Sequence, residues 1–204
     1  MKIAIVLGTS TGTTEDIAND IADGLRERCN ASIALVDVAD ITALPPDERS
    51  AAWRARLSGV ELLIVGCPTW DIGQLQADWR ELLGGFEQPA RRGAPGSLAG
   101  LELRGVTAVF FGLGDQAGYP DTYQDAMGIL NDAFEAAGAR VGLGHTAPSG
   151  DTFEASRALV DGRFCGLAID EDSLPQQTEG RVRRWVAQLV AELGLGASEG
   201  GAGA

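Results

Sequence analysis

The sequence predicts an α/β fold: five parallel strands in one doubly wound sheet, with helices on both faces. Three observations predict it. Short apolar runs without polar alternation, such as IAIVL at 3–7 and GVTAVFF at 105–111, suit strands buried on both faces. Stretches with an apolar residue every three or four positions lie between them, as amphipathic helices do. The 204 residues, 45% hydrophobic and 22% charged, suffice for one sizeable core.

Residues 2–7 form the first strand, and 15–28 a helix with Ile17, Ile21 and Leu25 on one face. Residues 32–38 are the second strand, and 50–57 an additional helix in a long connection, 41–61. The third strand is 61–66, followed by a helix at 74–83 with Leu75, Trp79 and Leu82 inward. A Pro-, Gly- and Arg-rich stretch at 87–97 reads as a surface loop within an extended 84–104 region. The fourth strand is 105–111, and the helix 124–137 ends at Gly138, a residue suited to a left-handed C-cap. A fifth strand starts at 140–143. The last helix, 178–193, turns Val182, Trp185, Val186, Leu189 and Leu193 inward. Residues 1–195 are expected to form one domain, and 196–204, small and polar, a flexible tail.

Composition narrows the function. The net charge is −13, from 29 acidic and 16 basic residues. Such a surface repels nucleic acid and suits a basic protein partner. Cys29, Cys67 and Cys165 are widely spaced and His145 is the single histidine, so no metal site and no disulfide framework are expected. No apolar run reaches the roughly 20 residues a membrane span needs, and the start of the chain does not read as a secretory signal. A cytoplasmic protein is expected.

Residues 7–18, LGTSTGTTEDIA, follow the first strand and open the first helix. A helix N-terminus presents unpaired N–H groups and the positive end of the helix dipole. Hydroxyls of Thr9, Ser10, Thr11 and Thr14 add donors, and Gly12 allows a close wrap. The loop is therefore an anion nest without a cationic side chain. It is neither a Walker A loop nor a GxGxxG fingerprint. Two further unusual loops, CPTWDIGQLQADW (67–79) and FGLGDQAGYPDTYQDA (111–126), follow the third and fourth strands. With strand order 2-1-3-4-5 all three loops meet at the carboxyl edge of neighbouring strands, where doubly wound sheets bind ligands. Trp70 and Tyr119 lie on these loops and suit stacking on a planar group. Trp53, Trp79 and Trp185 suit the core, as does Cys67.

These motifs resemble the flavodoxin family, of the long-chain type. Thr9-Ser10-Thr11-Gly12-Thr13-Thr14 matches its phosphate pattern [ST]-x-T-G-x-T; PTWDIG and GLGDQAGY resemble its flavin-stacking loops; ALVDGRFCGLAIDEDS with the following helix resembles its C-terminal region. The likeness covers about 1–195. It implies a flavodoxin-like fold whose fifth strand is interrupted by an insertion, here 144–166, and resumes near 166–169. It implies one noncovalent FMN, held by Thr9, Ser10, Thr11, Gly12, Thr13 and Thr14, by Pro68, Thr69, Trp70, Asp71, Ile72 and Gly73, and by Gly112, Leu113, Gly114, Asp115, Tyr119 and Gln124. Trp70 takes the inner flavin face and Tyr119 the outer. The Asp71–Ile72 peptide flips so that its carbonyl accepts from flavin N5–H of the semiquinone. Leu113 and Thr122 stand where the family commonly has threonine and asparagine.

The implied role is a low-potential one-electron carrier cycling between semiquinone and hydroquinone, not an enzyme. The implied partners are an NADP-linked flavodoxin reductase, a pyruvate oxidoreductase, or acceptors of the nitrogenase or radical-enzyme type, met by a monomer. Asp71 and Asp115 near the ring would lower the second potential, each by roughly 100 mV at an effective dielectric near 20. The rival is an FMN-dependent NAD(P)H quinone reductase of the same fold, which needs the open flavin face that Tyr119 would cover. The run Asp170-Glu171-Asp172 lacks cation-site spacing and reads as partner docking or a solvated turn.

Overall fold

The computed structural model describes residues 1–84 and 102–195. The loop expected at 87–97 and the tail at 196–204 lie outside the described residues. β1 (Lys2–Leu7), β2 (Ser32–Asp37), β3 (Leu62–Trp70), β5 (Thr107–Leu113) and β8 (Gly166–Ile169) form a parallel sheet in the order β2-β1-β3-β5-β8. A short β4 (Gln74–Leu75) pairs antiparallel with the end of β3. The order is the expected 2-1-3-4-5, with β8 as the resumed fifth strand.

β1, β5 and the first six residues of β3 are nearly solvent-free because helices cover both faces. On one face α1 (Thr13–Arg26) and α6 (Thr178–Glu192) pack Ile17, Ile21, Leu25, Trp185 and Leu189 against Ile3, Ile5, Ile64 and Phe111. On the other, α3 (Pro46–Arg56), α4 (Ala77–Leu82) and α5 (Asp125–Ala136) pack Trp53, Trp79 and Phe134 against Val65 and Phe110. Trp79 stacks on Trp53 at 6.4 Å and meets Phe134 edge-on at 6.0 Å, the arrangements that the ring quadrupole favours. A four-residue α2 (Ala39–Thr42) precedes α3. α3 begins earlier than expected because Pro46 at its first turn needs no N–H partner.

Two expected elements differ. The helix predicted at 74–83 starts only at Ala77: Gln74 and Leu75 pair with Trp70 and Thr69, and Gln76 caps the helix by accepting from Asp78 N and Trp79 N at 3.0 and 3.3 Å. The strand predicted at 140–143 shrinks to one bridge between Arg140 and Thr107. Gly142 and Gly144 there adopt φ of 103° and 70°, which turns the chain out of the sheet. The intervening chain holds a hairpin of β6 (Leu159–Val160) and β7 (Arg163–Phe164) before β8. Among the described residues no helix is long and apolar enough to cross a membrane.

Candidate functional site

A cavity of about 450 Å³ opens at the carboxyl edge of β1, β3 and β5, within the usual size of a small-ligand site. Its wall comes from the three loops singled out in the sequence. Thr11, Thr13 and Thr14 contribute from the first, Pro68, Thr69, Trp70 and Asp71 from the second, and Leu113, Gly114, Asp115 and Tyr119 from the third. Thr9, Ser10, Gly12, Ile72 and Gly73 adjoin these residues in the chain without forming the wall.

The first loop is built as an anion nest. Gly12 has φ 92°, and the Gly12 N–H donates to Thr9 Oγ1 at 3.0 Å. Thr9 Oγ1 thus shapes the loop as an acceptor, which leaves its O–H free to donate to a ligand. Thr11 and Thr13 hydroxyls lie 3.2 Å apart. Among the described residues, the backbone N–H groups of Ser10, Thr11, Thr13 and Thr14 have no acceptor. Unpaired donors at the start of a fourteen-residue helix favour a phosphate-like group. Gln76, absent from the sequence reading, holds this loop from behind through Nε2 to the Thr9 carbonyl at 3.3 Å. Gly8 permits the approach: a Cβ there would lie 2.6 Å from Gln76 Oε1.

The second loop is a strand end. Trp70 closes β3 instead of lying on a free loop, and is 39% exposed. Asp71 and Gly73 take φ of 47° and 76°; aspartate and glycine tolerate this region best. Ile72 is 74% exposed. Gly73 rests on the start of α5, where a Cβ would meet Asp125 Oδ2 at 2.7 Å. Cys67, one step behind, is fully buried, and burial pushes its thiol up to about 12. It is an inert core residue.

The third loop is folded around Asp115. Its Oδ1 accepts from Ala117 N at 3.0 Å, Gly118 N at 2.8 Å and Ser173 Oγ at 3.2 Å. Tyr119, 49% exposed, follows. The insertion braces this loop: Glu154 and Ala155 N–H donate to the Pro120 carbonyl at 2.9 and 3.0 Å, and Thr152 N donates to Gln116 Oε1.

Two further predicted residues, Gln124 and Gly112, also lie outside the cavity wall. Gln124 is completely buried, in the left-handed region (φ 63°), and donates from Nε2 to the Ile169 carbonyl at 2.9 Å. It joins β5 to β8. Gly112 is the space Gln124 needs, since a Cβ there would lie 2.2 Å from Gln124 Oε1. Both have a structural role here.

Four lining residues escaped the site prediction: Thr122, Tyr123, Glu171 and Asp172. The acidic turn at 170–172 follows β8 at the same sheet edge, which was the available signal. Asp170 corrects the docking reading, being 2% exposed and accepting from Gln116 N, Gln116 Nε2 and Ser173 N at 3.2, 2.9 and 2.7 Å. Glu171 accepts from the Thr178 hydroxyl. Among the described residues the wall thus carries Asp71, Asp115, Glu171 and Asp172 and no cationic side chain.

Burial raises the Asp172 carboxyl, and Asp115 and Asp170 add to the shift. A carboxyl raised in the folded state destabilises that state at neutral pH. The penalty fades as pH falls through the folded value and is gone below the unfolded one. Asp172→Asn is therefore expected to raise the melting temperature at neutral pH, with the gain vanishing toward the ordinary aspartate value of 3.8. A gain that grows on acidification would contradict this origin.

One buried polar atom of the cavity wall, Thr69 Oγ1, has no hydrogen-bond partner among the described residues, and the Tyr123 hydroxyl lies beside the Gln124 side chain. Burial also pushes the Tyr123 hydroxyl well above its usual range, so it stays protonated. Unsatisfied buried groups of this kind call for a ligand or water. Unpaired N–H groups at one end, two half-exposed rings and an unpaired buried hydroxyl at Thr69 fit a planar, phosphate-bearing ligand.

Comparison with known proteins agrees with that geometry. A family model described as Flavodoxin matches residues 5–185. A flavodoxin of Nostoc sp. is 38% identical over 194 residues, 95% of this chain and 98% of the relative. One of Synechococcus elongatus is 36% identical over 194 residues, 95% of this chain and 99% of the relative. The crystal structure of Fusobacterium nucleatum flavodoxin bound to flavin mononucleotide aligns with TM-score 0.70 at 23% identity, covering 94% of this chain and 98% of that one. At that identity the structural likeness speaks to the fold.

Proposed function

The chain belongs to the flavodoxin family, and from that premise we propose that it is a low-potential one-electron carrier with one noncovalently bound FMN. The observation that carries the reading is the cavity itself, which pairs unpaired N–H groups at the start of α1 with the half-exposed rings of Trp70 and Tyr119. The buried Thr69 hydroxyl, without a partner among the described residues, fits a ligand with polar groups along its length. FMN, when bound, supplies the electron store, used one electron at a time between its semiquinone and hydroquinone levels.

Everything else is the work of this chain. Residues 10–14 hold the phosphate with backbone N–H groups and threonine hydroxyls, so no lysine or arginine is needed. Trp70 and Tyr119 cover the ring faces and exclude water. The turn at Asp71, Ile72 and Gly73, with left-handed residues on either side of Ile72, would offer a peptide carbonyl as acceptor for a protonated ring nitrogen. Asp71, Asp115, Glu171 and Asp172 disfavour added negative charge on the ring. Each lowers the potential of that step by on the order of 100 mV at most, with salt screening reducing it.

The Tyr119 loop also favours a carrier over an FMN-dependent NAD(P)H quinone reductase. Hydride transfer needs an open flavin face, and this loop is tied down by the insertion at Pro120 and Gln116. A net charge of −13 steers the chain toward partners with basic surfaces. Those proposed are an NADP-linked flavodoxin reductase and a pyruvate oxidoreductase or nitrogenase-type acceptor, met by a monomer in the cytoplasm.

Ligand binding tests the reading. FMN is expected to bind one to one with its fluorescence quenched. Riboflavin, lacking the phosphate, is expected to bind roughly a hundredfold more weakly, the worth of about two charge-assisted hydrogen bonds. Equal affinities would remove the hydroxyl loop from the site, and a chain that takes neither would sink the reading.

A further inference from the structure

We infer that a second cavity, beside the edge strand β8, is a binding site for a small phosphate-bearing anion. It measures about 470 Å³ and lies between the insertion and α6, walled by Thr146, Ser149, Arg163, Arg181 and Arg184 among others. It shares no lining residue with the flavin cavity, so the inference stands independently of the proposed function.

The charge here is opposite to that of the rest of the molecule. Three of the chain's 16 basic residues line this one hollow, and no carboxylate does. Arg181 is the fixed member. Its Nη2 donates to Ser149 O at 2.9 Å and Asp151 Oδ1 at 2.8 Å, and its Nη1 to Ala168 O at 3.0 Å. The Asp151 side chain is 1% exposed, so the Arg181 charge is balanced from behind.

Arg163 and Arg184 are not balanced. Arg163 donates to the His145 carbonyl at 2.5 Å, a neutral acceptor. Neither forms an ion pair among the described residues. Two guanidinium groups without an ion pair among the described residues therefore belong to the cavity wall. Burial, and then Arg163, hold the His145 imidazole below its usual value, while Glu192 and Asp161 act against them.

Two guanidinium forks match the oxygens of a phosphate group in charge and geometry. The Ser149 hydroxyl, without a partner among the described residues, adds a donor. The site is also built in place: Thr146 is pinned by its hydroxyl to Gly166 O at 2.6 Å and by a backbone bridge to Phe164. A hollow of this volume suits a small molecule better than a flat protein or membrane surface would.

The test is an amide NMR titration of the full, FMN-saturated chain with inorganic phosphate at constant ionic strength. Saturable shifts are expected at 146–149, 163–168 and 181–188. Arg163→Gln and Arg184→Gln, both at exposed positions, are each expected to weaken binding about tenfold without disturbing the remaining spectrum. The site is refuted if the shifts do not saturate, if chloride at equal ionic strength reproduces them, if both variants leave them unchanged, or if they map to 9–14 alone. Because the resonances themselves locate binding, a chain that failed to hold FMN would still give a decisive answer.

Discussion

FMN affinity is expected to fall roughly a thousandfold when Trp70 and Tyr119 are both replaced by alanine, since stacking on one aromatic side chain contributes about 1–3 kcal/mol. Trp70 ends β3 and is anchored by the β3–β4 pairing at Thr69–Leu75 and Trp70–Gln74. Tyr119 follows the Asp115-centred turn that the insertion braces. Neither ring belongs to the core, at 39% and 49% exposure. The double variant should therefore fold normally and lose only the faces of the ligand site. Each single variant is expected to lose about thirtyfold, and the two losses to multiply, because the rings would contact opposite faces. The check is a fluorescence-quenching titration of the apoproteins. A loss below about tenfold in the double variant would mean that these rings do not sandwich the ligand.

Gly166→Ala is expected to destabilise the fold by about 3 kcal/mol, at the upper end of ordinary overpacking costs. The new Cβ would lie 2.1 Å from the Phe110 carbonyl oxygen and 2.6 Å from its carbon. Those atoms are backbone in β5, which is held on its other side by β3 from Leu62↔Thr107 to Pro68↔Leu113. The strand cannot retreat, so β8 must move out. The melting temperature is expected to drop by about 6–12 °C for a chain of this size, read by thermal unfolding. FMN binding should weaken with it, because β8 carries Glu171 and Asp172 to the cavity. An unchanged melting temperature would show that β8 docks less tightly than its register implies.

The sheet was legible because its strands are buried on both faces, so their apolar runs are continuous and their order follows from the α/β alternation. What escaped the sequence was decided by contacts distant in the chain. Arg140 begins an apolar stretch, but glycines at 142 and 144 with positive φ end its pairing after one bridge. Gln74 and Leu75 have helical spacing, yet the strand end at Thr69 and Trp70 captures them first.

The site divides the same way. The hydroxyl loop and the two rings were readable because their chemistry is local. Gln124 and Gly112 were placed at the ligand by resemblance, whereas the close approach between them serves the β5–β8 junction. The acidic turn was read as surface, although Asp170 is a buried acceptor for Gln116 and its two neighbours face the cavity. Only the fold brings that fourth loop beside the other three.

The most direct test of the carrier account is an anaerobic reductive titration of the FMN-loaded protein followed by absorbance. The account predicts two separated one-electron steps through a blue neutral intermediate, with the second step at low potential. A single two-electron step, driven by NAD(P)H without that intermediate, would contradict it and favour the quinone reductase.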